Sequence, residues 1–185
     1  MSTTHARPLR LPASAQRLRL AVWARSQARM RERYGFDLAA PDMLERIRSL
    51  VSEHPDDPER VLLLAAALAM SGDDDLAVIQ ARRAAELAPG SARAQTTLAS
   101  LLLRGGDQPG ALDCARRAAG LDGADPSVLY NLGLAEWFAG DRKQARSAFA
   151  AAAAALSAPP SGPDANGHPA SDGQRGSWWT LRRRV

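Results

Sequence analysis

A period of 34 residues runs through the middle of the sequence and constrains the fold more than any other feature. A Gly-Asp step stands at three equally spaced points, where Gly72, Gly106 and Gly140 are each followed by aspartate. Leucines eight residues before these glycines and alanines five residues after them keep the same spacing. A helical repeat must preserve phase at its packing positions even where its surface varies. The period therefore predicts three copies of one structural unit without insertions.

The unit reads as two helices joined by a tight turn. Glycine adopts the left-handed conformation that ends a helix, and an aspartate at the start of the next helix favours its positive end. Small residues follow the periodic leucines, namely Ala65, Ala99 and Gly133, and allow the two helices to approach closely. One such pair cannot bury its own apolar face, whereas stacked pairs can. We therefore expect a row of helical hairpins with the three turn glycines in the left-handed conformation.

The unit resembles the tetratricopeptide repeat (TPR) over three segments. These are LLLAAALAMSGDDDLAVIQARRAAELAP (62–89), TLASLLLRGGDQPGALDCARRAAGLD (97–122) and YNLGLAEWFAGDRKQARSAFAAAA (130–153). The repeats are placed at 58–91, 92–125 and 126–159, and the resemblance implies an all-α, right-handed helical-hairpin solenoid over 58–157. The family's closing proline is present as Pro89 but replaced by Gly123 and Ser157. Its usual aromatic residue in the first helix is replaced by Leu68, Leu102 and Glu136.

Two more helices are predicted ahead of the repeats. The first runs from about Pro12 to Tyr34 with Ala15, Leu18 and Val22 on one side, and the second runs from Pro41 to about Glu53. We interpret 12–57 as a degenerate leading repeat, an N-terminal helix pair that caps the stack by shielding the first repeat. Residues 1–11 are expected to be a disordered basic segment.

Charge is distributed as an acidic body between two basic ends. Residues 1–36 carry eight arginines against one glutamate, and residues 37–156 carry 12 basic and 17 acidic side chains. An Arg-rich N-terminal helix would contact phosphates or nucleic acid non-specifically at low salt. A shielding role is preferred, and nucleic acid is not the expected partner.

The C-terminal end combines a linker with a short aromatic and basic motif. Residues 158–176 are rich in Pro, Gly and Ser and are expected to be disordered. Residues 177–185 form a docking motif whose members are Trp178, Trp179, Leu181, Arg182, Arg183 and Arg184. One hypothesis is that this motif folds back as a cap or self-ligand, because the third repeat lacks a covering helix. The alternatives for the motif are docking to another protein, a membrane-surface contact, or no role at all. Self-association through the uncapped third repeat is a separate hypothesis.

The resemblance also implies a concave groove lined by the first helix of each repeat. The positions that it assigns to a peptide are Leu62, Leu63, Ala66, Met70, Thr96, Thr97, Ser100, Arg104, Tyr130, Asn131, Leu134, Trp137 and Phe138. Family members that clamp a terminal carboxylate place several Lys or Arg here, but only Arg93 and Arg104 are near. A carboxylate clamp is therefore disfavoured. Some of these side chains, Trp137 above all, can instead pack into neighbouring helices.

These features favour a protein-interaction scaffold or adaptor that holds a peptide or partner segment. A bacterial secretion-type chaperone for apolar export substrates is the alternative. An enzyme is not expected, because no carboxylate pair, nucleophile with a base, metal-ligand cluster or phosphate-binding loop is present, and no cofactor is implied. The single Cys114 reads as a small core residue.

The sequence also bears on the compartment. A lone cysteine and the absence of a hydrophobic secretory stretch favour the cytoplasm, and no apolar run is long enough to span a bilayer. Residues 1–31 lack Asp and Glu, so a mitochondrial transit peptide is the alternative.

Overall fold

A computed structural model describes residues 11–35 and 42–158, and all regular secondary structure in that part of the chain is α-helix. The helices are α1 (Ala13–Tyr34), α2 (Met43–Glu53), α3 (Pro58–Met70), α4 (Asp74–Leu87), α5 (Ala92–Arg104), α6 (Gln108–Leu121), α7 (Pro126–Phe138) and α8 (Arg142–Ser157). The predicted all-α fold class is confirmed, and both helices ahead of the repeats lie within two residues of their predicted starts.

The turn inside each repeat has the predicted backbone geometry. Gly72, Gly106 and Gly140 have φ angles of 86°, 85° and 92°, in the left-handed region. The aspartate after each glycine caps the next helix directly, as in the second repeat, where Asp107 Oδ1 accepts a hydrogen bond from Gly110 N at 3.0 Å. The sequence predicted only a favourable charge at this helix start, and the structure adds a specific side-chain cap.

The first helix of each repeat has a cap as well. Asp57, Ser91 and Asp125 precede α3, α5 and α7, and each side chain accepts a hydrogen bond from a backbone N–H of the first turn. These three residues are also 34 apart. The sequence therefore contains a second periodic signal for the helix starts, besides the Gly-Asp turns.

Helices α3 to α8 form three stacked hairpins. Each hairpin packs its two helices together, and its second helix packs on the first helix of the next hairpin. Consecutive first helices also contact each other, whereas, among the described helices, consecutive second helices do not. The first helices therefore form the inner, concave layer of a TPR-type solenoid. Alanines and leucines dominate the core between the layers.

Helix α2 occupies the position of a second helix ahead of the first repeat. Its buried residues Met43, Ile47 and Val51 pack in one cluster with Val61 and Leu62 of α3. Ile47 is completely buried. Shielding of the first repeat, predicted for residues 12–57, is thus provided by α2.

Helix α1 lies at the opposite end of the solenoid, so the prediction of an N-terminal helix pair is wrong in this respect. Among the described residues α1 makes no contact with α2 and packs on α7 and α8. Its predicted apolar side is correct, but Ala15 and Val22 lie in a cluster with Tyr130 and Phe149. The aromatic surface of the third repeat accepts these small side chains, and Arg29 binds Asp125 beside them.

The third repeat is therefore not bare, and the premise for self-association through an uncapped end is wrong. The predicted C-terminal linker and the Trp/Arg motif at 177–185 lie outside the described residues, as does most of the basic segment at 1–11. None of the helices described in the structure has the length and apolarity needed to cross a membrane.

Candidate peptide groove

The inner layer presents three equivalent rows of side chains, which we call the inner stripes. Each consists of four positions on a first helix, spaced by four, three and four residues. The stripes are Glu59, Leu63, Ala66 and Met70 on α3, Arg93, Thr97, Ser100 and Arg104 on α5, and Ser127, Asn131, Leu134 and Phe138 on α7. All of these side chains except Leu63 are half-buried or exposed, so the stripes form the accessible inner surface.

The structure separates the predicted groove residues into two groups and leaves Trp137, which is half-buried and lies off the stripes, between them. Those that lie on the inner stripes and are accessible are Ala66, Met70, Thr97, Ser100, Arg104, Asn131, Leu134 and Phe138. Four others are buried in the core and are corrections: Leu62, Leu63, Thr96 and Tyr130 are 5%, 3%, 8% and 4% exposed.

The corrected residues are buried for identifiable reasons. Leu62, Thr96 and Tyr130 occupy equivalent positions in the three repeats. Each directly precedes the second residue of its stripe and lies on the face of the helix that packs against its neighbours. Leu63 belongs to the cluster that contains the apolar side chains of α2. The resemblance assigned groove positions to both faces, and only the packing of neighbouring helices distinguishes them.

Both arginines of the central stripe bind acidic groups of the preceding repeat. Arg93 Nη1 lies 2.6 Å from Glu59 Oε2, a pair that joins equivalent positions of α3 and α5. Arg104 Nη2 lies 2.7 Å from Asp74 Oδ1, and the same guanidinium donates to the backbone carbonyl of Ala69 at 3.3 Å. These contacts hold the two charges at the ends of the stripe. Between them the stripe presents the side chains of Thr97 and Ser100, which carry hydroxyl groups.

The third repeat's side of the groove is partly occupied by α1. Leu134 and Trp137 pack against the cluster that contains Ala15 and Val22 of α1. The guanidinium carbon of Arg142 also lies 3.9 Å from the centre of the Trp137 ring, a cation–π contact. Trp137 is therefore held between helices, which is the alternative that the sequence left open.

Two polar groups under α1 have no hydrogen-bond partner among the described residues. They are the hydroxyl of Tyr130 and Nε1 of Trp137, both buried. Burial raises the pKa of the Tyr130 hydroxyl, and the positive charge of Arg19 partly offsets this effect. The Tyr130 ring contacts Phe149 in a tilted arrangement with centroids 5.8 Å apart.

One ion pair connects α1 to the start of α7. Arg29 Nη2 donates to Asp125 Oδ2 at 2.9 Å, and the Asp125 side chain is 15% exposed. Burial alone would raise the pKa of Asp125, but the charge and hydrogen bond of Arg29, with the hydrogen bonds of Ser127, outweigh it and lower this pKa. Asp125 thus serves both as the cap of α7 and as the acceptor for α1.

The single cysteine is part of the core. Cys114 is buried in the central core cluster, and burial raises the pKa of its thiol although Arg117 acts in the opposite direction. Within the described residues, no group of His, Cys, Asp and Glu side chains is arranged to hold a metal ion.

Comparison with known proteins rests on structure alone, since the sequence matches no protein-family model and no curated protein. A MamA crystal structure aligns with a TM-score of 0.53 and 21% identity, covering 60% of this chain and 66% of that one. MamA 41-end from Desulfovibrio magneticus RS-1 aligns with a TM-score of 0.55 and 22% identity, covering 79% and 77%.

YrrB, described as a TPR protein with an unusual peptide-binding site, aligns with a TM-score of 0.52 and 18% identity. That alignment covers 60% of this chain and 58% of YrrB, so this chain spans less than two thirds of its length. At such identities the likeness shows the fold, which is the TPR-type helical-hairpin solenoid that the 34-residue register predicts.

Proposed function

We propose that this chain is an interaction scaffold that binds a peptide segment of a partner protein along the inner stripes. The observation that carries the proposal is the central stripe, where Thr97 and Ser100 lie half-buried between two arginines already bound to acidic groups. A concave surface with a few polar groups among apolar ones is the usual form of a binding site.

The chemistry of the stripes defines the segment that fits. Ala66 and Met70 supply apolar surface on one side, and Asn131 and Phe138 supply an amide and an aromatic ring on the other. Because Arg93 and Arg104 are engaged by Glu59 and Asp74, a terminal carboxylate would have to displace an existing ion pair. The preferred ligand is therefore an internal segment with small and apolar side chains.

We also propose that the chain acts in a reducing compartment such as the cytoplasm, because its single cysteine is free and buried in the core. YrrB, a TPR protein with an unusual peptide-binding site, supports the proposal by its similar fold. For this chain the binding of a peptide is our proposal.

A matched pair of substitutions tests the groove. Ser100→Arg places a long charged side chain in the centre of the inner stripe, and Ser147→Arg makes the same change on the exposed surface of α8. Peptides selected from a random phage-displayed library on the wild-type chain should bind Ser100→Arg about tenfold more weakly, a loss of about 1.4 kcal/mol. Ser147→Arg should bind like the wild type, as measured by fluorescence anisotropy.

Circular dichroism of both variants checks that the helices are retained. Selected peptides that bind the two variants with equal affinity, or a library that yields no peptide at all, would exclude the inner stripes as the binding surface.

A further inference from the structure

Helix α1 is anchored by few of its side chains. Of the α1 side chains that the structure describes, only Ala15, Val22 and Gln27 are buried. By comparison, α3 and α5 each have seven buried residues. Its N-terminus begins after Pro12 without a side-chain cap, whereas every helix from α3 to α8 has one. α1 is thus attached more weakly than the helices of the repeats.

The charges of α1 match the third repeat at one end only. Arg29 forms the ion pair with Asp125 at the start of α7. Towards the other end, an open cleft of about 520 Å³ lies alongside the contact between α1 and α8. Arg17 of α1 and Arg146 of α8 line this cleft together with apolar groups of Leu18 and Phe149. Two like charges therefore face the same cleft, beside the apolar contact between α1 and α8.

The surface beneath α1 also has unused hydrogen-bonding capacity. The Tyr130 hydroxyl and Trp137 Nε1 are buried at this interface without a partner among the described residues. An unpartnered buried donor costs free energy that a suitable acceptor would recover. The α1 side chains described in the cluster, Ala15, Leu18 and Val22, and Leu11 ahead of the helix are apolar and offer none.

We propose that the face of α7 and α8 covered by α1 is a binding site for an amphipathic helix of a partner protein. The partner helix has an acidic side chain that meets Arg146 and a basic side chain that meets Asp125. Between them it has small apolar residues and a hydrogen-bond acceptor for the Tyr130 hydroxyl or Trp137 Nε1. α1 is the resident occupant supplied by the chain itself, and the partner replaces it. This inference rests on the proposed scaffold role but uses the outer end of the third repeat, which shares only Leu134 with the inner stripes.

The probe is a labelled peptide of residues 11–35 that carries Arg17→Glu, so that it has the predicted acid at one end and retains Arg29 at the other. It is titrated into full-length chains and followed by fluorescence anisotropy. An Arg29→Glu chain should bind this peptide about tenfold more tightly than the wild type, because its own α1 has lost the ion pair with Asp125. An Arg17→Glu chain should bind it more weakly than the wild type, because its own α1 now meets Arg146 with an opposite charge.

The matched control is Arg25→Glu, which makes the same charge reversal at an exposed α1 residue outside the cleft and the ion pair. It should bind the peptide like the wild type. Arg29→Ala, which removes the ion pair without adding a charge, should bind more tightly in the same direction as Arg29→Glu and covers the case in which the reversal impairs folding.

Absence of saturable binding to both Arg29 variants would overturn the proposal, and so would equal affinity of the Arg29→Glu and Arg17→Glu chains. Ser100→Arg should leave the binding of this peptide unchanged. Loss of groove binding and loss of helix binding can therefore be told apart.

Discussion

At the scale of single residues, the third repeat contains a compensating pair that the other two repeats do not have. Gly133 of α7 faces Phe149 of α8, and a Cβ on Gly133 would lie 2.6 Å from two carbons of the Phe149 ring. The equivalent pairs in the first and second repeats are Ala65 with Ala81 and Ala99 with Ala115. In the third repeat, glycine thus replaces the alanine of the other repeats because its neighbour is phenylalanine and not alanine. Close packing of the two helices requires this exchange.

This pairing makes the effect of Gly133→Ala depend on residue 149. In the wild-type chain we expect a net loss of about 1 kcal/mol in the free energy of unfolding, because overpacking costs about 1–3 kcal/mol and alanine returns about 1 kcal/mol of helix propensity. In a Phe149→Ala background the same substitution should stabilise the chain by up to about 1 kcal/mol. Urea unfolding followed by circular dichroism measures both, and an identical effect in the two backgrounds would contradict the contact.

Glu136 shows what residue spacing could not reveal. It occupies the position of Leu68 and Leu102, is 5% exposed, and its Oε1 accepts from Arg116 Nε at 3.1 Å. In the sequence alone, Glu136 is only a departure from the aromatic residue that the family usually has at this position. An arginine, Arg82, stands at the equivalent position one repeat earlier without a glutamate opposite, so the period alone does not distinguish a paired arginine from an unpaired one.

At the scale of elements, the Gly-Asp turns control where the helices end. Gly106 has a φ angle of 85° and no atom within 4 Å of an added Cβ, so a substitution there changes backbone energy and not packing. Gly106→Val should therefore lower the free energy of unfolding by about 1–2 kcal/mol, the approximate cost of forcing an L-residue into the left-handed region.

Gly120→Val provides the matched control for Gly106→Val. Gly120 lies within α6 and also has open space around an added Cβ, but its φ is not positive. Valine there should be neutral or slightly stabilising, because valine is a better helix former than glycine. Thermal unfolding that shows equal shifts for the two variants would refute the role of the left-handed turn.

The sequence predicts the bounds of the repeat helices but not the location of α1. The bounds of α3 to α8 follow from the period, because every unit repeats the same caps, turn and small residues. The existence of α1 and its apolar side followed from its amphipathic pattern. Its location did not, because α1 has no equivalent elsewhere in the chain and its position depends on complementarity with Tyr130, Phe149 and Asp125, about 100 residues away.

At the scale of the whole molecule, α1 alters how the repeats support each other. In a linear solenoid each repeat is stabilised by its own packing and by its immediate neighbours. Here the last repeat has the second repeat on one side and the N-terminal helix on the other. The stability of α7 and α8 therefore depends on whether α1 is docked, and the first repeat, which α2 covers, is independent of that contact.

Val22→Asp tests this dependence, with Leu20→Asp as its control. Val22 is 7% exposed at the contact with α7 and α8, whereas Leu20 on the same helix is 66% exposed. Burying an unpaired carboxylate is costly, so Val22→Asp should release α1 from the third repeat. Hydrogen exchange followed by mass spectrometry should then show amide exchange in α7 and α8 faster by about tenfold, the effect of about 1.4 kcal/mol of lost local stability.

In the same variant, exchange in α3 and α4 should stay at the wild-type rate, because they contact α2 and α5 but not α1. Leu20→Asp should leave all four helices unchanged, since its side chain already faces solvent. Faster exchange spread evenly over all repeats would mean that the chain unfolds as one unit, and unchanged exchange in α7 and α8 would mean that α1 contributes nothing to the third repeat. The predicted pattern, confined to one end, requires that the N-terminal helix stabilise the repeat that is farthest from it along the sequence.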